Sequence, residues 1–212
     1  MLDARLQPLI SPPLDRAGRI LARAGVSANA VTLSGLLVAI VATLTIGSAH
    51  YAGGLVAIAV CRILDGLDGA VARATIRSPL GGYLDIVADY VFYAGVPLGF
   101  ALAEPASNAL PAAALLAGFL LTGSSFLAYA ALAAKHGIEP DPRRLKSFFY
   151  STGLMEGTET IAFFVAMALW PMRFAVLAWV CTALCVLTAL QRSAAAVRRF
   201  RQKEALAPRR HR

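Results

Sequence analysis

Six acidic residues stand where apolar helices are expected: Asp65, Asp68, Asp85, Asp89, Glu156 and Glu159. An aspartate near the middle of a spanning helix costs about 2.5–3.5 kcal/mol on insertion scales. Four without partners would cost on the order of 10 kcal/mol, comparable to the stability of a whole fold. A cluster of intramembrane carboxylates therefore points to function. At about 100° per residue, Asp68 lies some 60° around its helix from Asp65, while Asp85 and Asp89, four apart, share a face with Gly81. His50, His136 and His211 all fall in loops or the tail. The acids thus form an all-oxygen donor set, which favours Mg²⁺ or Mn²⁺ over zinc and suits a pair of ions. Two such ions can clamp the attacking and leaving oxygens of a phosphoryl displacement. A remaining carboxylate can take the proton of an attacking hydroxyl. Small residues among the acids, Gly69 and Ala72, let a bulky ligand approach the backbone. Arg73 adds a phosphate-directed cation at the rim. These residues read as a metal-dependent phosphoryl-transfer site, and its depth in the membrane makes a lipid one of the substrates.

Helices must bring those acids to one level. Of the 212 residues, 58% are hydrophobic and 15% charged, with a mean hydropathy of +0.65. An ordinary soluble domain carries about 25% charged residues. A soluble enzyme, a secreted disulfide scaffold and a disordered chain are therefore excluded. A spanning helix needs about 20 apolar residues, and six stretches qualify: about 29–47, 51–64 with a charged extension towards 76, 81–103, 110–134, 153–170 and 174–190. The fold class is all-α, a polytopic membrane protein of six transmembrane helices preceded by a cytoplasmic interfacial amphipathic helix. That helix carries Leu2, Leu6, Leu9 and Ile10 on one stripe, breaks at Pro12-Pro13, and resumes with Leu14, Ala17 and Leu21. The expected organisation is an interfacial arm over 1–26, a membrane domain over 27–192 and a basic cytoplasmic tail over 193–212. From the start of the second span, Asp65 lies about 21 Å along, in the cytoplasmic third of a roughly 30 Å core. Asp85 and Asp89 lie within about 12 Å of the cytoplasmic start of the third span, and Glu156 and Glu159 are similarly placed on the fifth.

The net charge of +8 would suggest nucleic acid in a soluble protein. Its placement says otherwise. Of 20 Lys and Arg, only Arg173 falls on the outer side; the rest flank the inner ends of the spans. Both termini are thus expected in the cytoplasm, with the basic arm and tail against anionic headgroups. Cys61, Cys181 and Cys185 read as small apolar packers. Nothing in the first 25 residues supplies the apolar core of a cleaved signal.

The run Asp65-x-x-Asp68-Gly69-x-x-Ala72-Arg73, seven residues, then Gly81-x-x-x-Asp85-x-x-x-Asp89 resembles the signature of the CDP-alcohol phosphotransferases, with all eight fixed positions present. The resemblance implies that Asp65, Asp68 and Asp85 ligate a dinuclear Mg²⁺ or Mn²⁺ centre, with Asp89 both ligand and general base. It implies that Gly69, Ala72 and Arg73 receive the CDP moiety. Asn29 and Thr32, in a stretch similar to the family's first helix, would lie near the nucleotide phosphates; Ala28 replaces a commoner proline there. The implied reaction is attack of an alcohol on CDP-diacylglycerol with release of CMP, in phospholipid biosynthesis, by a homodimer. The stretches 122–136 and 146–150, the latter followed by 156–160, resemble a bacterial inner-membrane branch of the family, which implies that membrane as the location and a site facing the cytoplasm.

The acceptor alcohol stays open. Glu156 and Glu159 either line an acceptor pocket, where they suit a cationic alcohol such as serine or choline, or occupy the fifth helix's start, where acids suit the dipole. Arg143, Arg144 and Lys146 suit a phosphorylated acceptor, yet a cytoplasmic loop is basic in any case. The reading leans to glycerol 3-phosphate. The pair Gly95 and Gly99 marks either a dimer seam or packing within one bundle. Alternatives of a different kind are a transporter or cation pathway using the same acids, and a CDP-lipid hydrolase. Acids at the inner level only, with outer halves almost uncharged, weigh against transport.

Overall fold

The structure, a computed structural model, describes residues 3–137 and 153–206. Every regular element among them is helical: α1 (Asp3–Arg23), α2 (Ala28–Gly47), α3 (Tyr51–Ala74), α4 (Pro79–Ala103), α5 (Pro105–Lys135), α6 (Gly157–Leu169), a 3₁₀ turn (Pro171–Arg173) and α7 (Phe174–Leu206). Local chemistry sets several of these ends. Gly25, at φ +80°, turns the chain from α1 into α2, a conformation that glycine adopts without a Cβ clash. Ser27 Oγ then accepts from Ala30 N at 3.2 Å and caps α2. Ser78 does the same for α4, accepting from Gly81 N at 3.0 Å, with Pro79 in the first turn.

Among the described residues, four helices are long and apolar enough to cross a membrane: α2, α4, α5 and the Pro171–Lys203 stretch containing α7. α3 has the length, 24 residues, but carries Arg62, Asp65, Asp68 and Arg73. α6 has 13 residues, about 20 Å of helix. Its expected start at 153 is corrected to Gly157 for a visible reason. The backbone N–H groups of Leu154 and Met155 donate to the Thr188 hydroxyl of α7, at 3.1 and 3.0 Å. A side chain of another helix thus takes the donors that a first turn would otherwise order.

The break expected at Pro12-Pro13 is also corrected, since α1 runs unbroken through Pro8, Pro12 and Pro13. Both Pro12 and Pro13 are exposed, as are Pro8 and Leu9, so the carbonyls they leave unpaired are not buried. The opposite face docks on α3. A Cβ on Gly18 would lie 2.7 Å from the Ala70 carbonyl carbon, so the two backbones approach at that point.

The core draws on α2 to α7, and its centre is aromatic. Phe92 and Phe164 meet edge to face at 5.5 Å, and Phe100 stacks on Phe174 at 4.5 Å; all four are fully buried. Gly99 abuts the Thr43 carbonyl of α2 and Gly95 the Thr43 side chain. The glycine pair therefore packs inside the bundle. Outward-facing positions carry Leu37, Val41, Leu44, Leu120, Val180 and Leu190. So extensive an apolar surface is rare on a water-soluble monomer. Cys181 and Cys185 are buried packers.

Candidate active site

Asp65 and Asp68 on α3 and Asp85 on α4 each offer a carboxylate oxygen, and these oxygens lie within 4.8 Å of one another. The contact of both helices with α2 brings them together. Asp68 is 6% exposed, and the buried Thr32 hydroxyl of α2 donates to its Oδ2 at 2.7 Å. Thr32 thus both orients a carboxylate and borders the pocket described below. Three carboxylates without imidazole match the oxygen preference of Mg²⁺ and Mn²⁺. The one thiol in the same chamber, Cys61, is engaged, donating to the Gly35 carbonyl at 3.5 Å. The residues fit a hard divalent cation.

Asp89 lines the same chamber but stands outside the three-carboxylate group. Its Oδ1 accepts from Arg62 Nη1 at 2.9 Å. The same nitrogen lies 3.4 Å from Asp65 Oδ2, and the guanidinium covers the Phe92 ring at 4.0 Å. Arg62 is a site residue that sequence reasoning counted only towards topology. The signal was its position three residues before Asp65, on the face that carries the acids.

On one side the chamber adjoins a pocket of about 340 Å³. Asn29, Thr32, Gly69, Ala72 and Arg73 all line it, together with Asp68 and Asp85. Every position that the resemblance associates with the nucleotide falls on this one surface. Arg73 is held by α1: its Nε and Nη2 donate to Asp15 Oδ1 at 3.1 and 2.7 Å. Asp15 was not singled out from the sequence, where nothing connects the arm to the signature. Arg77 and Ser78 complete the rim.

On the other side, Asp89 faces a second cavity, of about 360 Å³, between α4, α5, α6 and α7. Its polar wall is Glu156, Thr160, Thr122 and Arg192, and its apolar wall includes Tyr93 and Phe126. Glu156, 8% exposed, is the N-cap residue of α6 but makes no side-chain cap bond; it belongs to the cavity wall. Glu159 sits in the first turn of α6 and is not part of that wall. Arg143, Arg144 and Lys146 lie outside the described residues. Arg192 is a further residue missed, having been counted only among the basic residues that follow the sixth span. Because α7 continues to Leu206, Arg192 is held in a helix, with its guanidinium 5.8 Å from the Phe126 ring centre.

Residues 26–191 match the CDP-alcohol phosphatidyltransferase family. The chain is 47% identical over 192 residues to the inner membrane protein YnjF of Escherichia coli, covering 91% of this chain and 93% of that protein. It is 35% identical over 100 residues to the archaetidylinositol phosphate synthase of Pyrococcus horikoshii, covering 47% and 53% respectively. Its fold is similar to that of Mycobacterium tuberculosis phosphatidylinositol phosphate synthase (PgsA1) in complex with manganese and citrate. The TM-score is 0.67 at 21% identity, over 88% of each chain. A second structure of that protein, with CDP-DAG bound, gives a TM-score of 0.66 at 20% identity, over 86% of this chain and 92% of that one. With its eight signature positions gathered on two adjoining cavities, the chain belongs to the CDP-alcohol phosphatidyltransferase family, transferases of substituted phosphate groups.

Proposed function

We propose that the protein transfers the phosphatidyl group of CDP-diacylglycerol to an alcohol and releases CMP, within a cytoplasmic-facing site of a bacterial inner membrane. α3 and the short α6 complete six crossings, with both termini in the cytoplasm as the basic flanks require. The observation that carries the reading is the row of three adjoining spaces. The nucleotide-lined pocket shares Asp68 and Asp85 with the carboxylate chamber, and that chamber shares Asp89 with the second cavity. Donor, reacting centre and acceptor thus each have a place.

Asp65, Asp68 and Asp85, with Asp89 nearby, would hold Mg²⁺ or Mn²⁺, in one or two ions; manganese is the ion in the PgsA1 structure. Bound there, the metal supplies charge neutralisation for the pyrophosphate oxygens and the departing CMP. Asn29, Gly69, Ala72 and Arg73 hold the cytidine diphosphate, while Asp15 keeps Arg73 turned to its rim. Thr32 fixes the Asp68 carboxylate. The acceptor hydroxyl enters from the second cavity and gives its proton to the Asp89 carboxylate. Its oxygen bonds to the lipid-bearing phosphorus as the bond from that phosphorus to the CMP oxygen breaks. Glu156 and Arg192 form the polar wall against the rest of the acceptor. Arg192 supports a phosphorylated alcohol such as glycerol 3-phosphate, since a guanidinium pairs well with phosphate.

The test is CMP release by detergent-purified protein from CDP-diacylglycerol with Mg²⁺ or Mn²⁺. The acceptors would be glycerol 3-phosphate, serine, choline, inositol phosphate, phosphatidylglycerol and water. One acceptor should support release, and Asp89→Asn should lower kcat by about 10²–10⁴-fold, the range for a general base. Absence of both release and CDP-diacylglycerol binding would refute the reading.

A further inference from the structure

We propose that α7 carries a cationic rail, Arg192, Arg199 and Lys203, which draws a small water-soluble anion, a phosphorylated alcohol, from the cytoplasm into the second cavity. The proposal rests on the reading of that cavity as the acceptor's place.

α7 has 33 residues and α5 has 31, about 50 and 46 Å of helix against a core of roughly 30 Å. Their contacts run the length of both. Gly118 abuts Thr182 and Cys185, Tyr129 meets Phe200 at 5.7 Å, and Lys203 Nζ donates to the His136 carbonyl at the end of α5. The two helices therefore continue together past the core. About 20 residues counted inward from Pro171 put Arg192 at the core's inner edge, with Arg199 about 10 Å and Lys203 about 16 Å beyond it. The inner stretches 124–137 and 192–203 carry Lys135, Arg192, Arg198, Arg199, Arg201 and Lys203, and their sequence contains no Asp or Glu.

At about 100° per residue, Arg199 and Lys203 lie within about 20° of Arg192 around the axis, whereas Arg198 and Arg201 lie about 120° and 180° away. The three on one face form a line that ends in the cavity wall, where Arg192 stands. There Arg192 Nη1 donates to the Thr122 carbonyl at 3.4 Å, while the buried Nε has no hydrogen-bond partner among the described residues. A buried guanidinium donor left over in this way suits an anionic guest. A row of like charges beside a low-dielectric wall also focuses the field and raises the local concentration of the opposite charge. Direction decides which anion. Headgroups extend only about 5–7 Å beyond the core, so a lipid would meet Arg192 alone. A soluble phosphate meets Lys203, Arg199 and Arg192 in turn.

The experiment measures CMP release from CDP-diacylglycerol in a nonionic detergent, with glycerol 3-phosphate and inositol phosphate as probes. NaCl is set at about 0.1 and about 1 M, where the Debye length is about 10 and about 3 Å. Arg199→Gln/Lys203→Gln is compared with Arg198→Gln/Arg201→Gln, which removes the same charge from other faces of the helix. The first pair should raise KM for the phosphorylated acceptor about fivefold at the lower salt and less than about twofold at the higher. The second pair should stay within about twofold at both. In each pair kcat and KM for CDP-diacylglycerol should hold within about twofold, which also reports an intact fold. Glutamine at position 203 can still donate to the His136 carbonyl. If the first pair nevertheless does not fold, Arg199→Gln decides alone, with a rise of about twofold expected. An equal rise in both pairs would mean net charge or attraction to the micelle surface, and would overturn the rail. So would an unmoved KM, or a rise that persists at the higher salt. Turnover with a neutral or cationic alcohol and with neither probe also overturns it, and leaves the transfer reading standing. No release with any acceptor, together with no binding of CDP-diacylglycerol, refutes the transfer reading itself.

Discussion

The Thr32 hydroxyl is unusual for a spanning helix because it reaches another element. Like Thr43 and Thr45 it lies within bonding distance of the carbonyl four residues back, Ala28 O at 3.1 Å, but its shorter contact is to Asp68 Oδ2, at 2.7 Å. Thr32→Val keeps the shape and removes only the donor. A group that orients a metal-binding carboxylate is typically worth 10–100-fold in metal affinity. Thr32→Val should therefore weaken Mn²⁺ binding by about 10-fold, measurable by titration of the purified protein without substrate. Unchanged Mn²⁺ affinity would leave Thr32 with a packing role only. At this scale the acids were legible in the sequence because a charge inside an apolar helix needs a reason, and their spacing supplied one. The cations were not. Arg62 and Arg192 each have a ready explanation as topology signals, and only the packing of α3 and α4 on α2, which brings Arg62 to Asp89, and the place of Arg192 in the wall of the second cavity show that they face the site.

Apolar stretches and capping serines made most helices readable, with Ser27 at the cap expected for it. What the sequence misplaced depends on contacts between elements. Thr188 of α7 delays the start of α6, and docking on α3 carries α1 through its prolines. That docking has a functional side, because Asp15, three residues before Gly18, holds Arg73 at the nucleotide pocket. Gly18→Val would place a side chain against the Ala70 backbone, which cannot yield as a flexible side chain does. α1 must then shift and take Asp15 with it. KM for CDP-diacylglycerol should rise about fivefold, in keeping with the roughly 1 kcal/mol of a part-exposed ion pair, and kcat should stay within about twofold. Asp15→Ala should give the same KM. If KM is unmoved in both, the arm anchors the chain without contributing to the site.

At the scale of the molecule, the acids, the Arg73 rim and the Ile76–Ser78 turn lie at one end of the bundle, and the Pro171–Arg173 turn lies between α6 and α7 at the other. In the proposed orientation the first end faces the cytoplasm, as charge bias predicts: Arg73 and Arg77 flank its α3–α4 turn, whereas Arg173 stands at the far end. Two exposed side chains turn this into a measurement. Ile76 is 88% exposed and Met172 is 89% exposed. The native cysteines are all buried, so single Ile76→Cys and Met172→Cys variants should report against a low background. A membrane-impermeant maleimide should label Met172→Cys in intact spheroplasts and Ile76→Cys only in inverted vesicles. Because Ile76 also lines the nucleotide pocket, CDP-diacylglycerol with Mn²⁺ should slow its labelling and leave Met172→Cys unaffected. The reverse sidedness would place the site on the outer face, away from any cytoplasmic pool of soluble acceptor, and would overturn the orientation. Labelling of both variants from one side would instead overturn the crossing of α6, since an even number of spans, α4 and α5, would then separate the two residues.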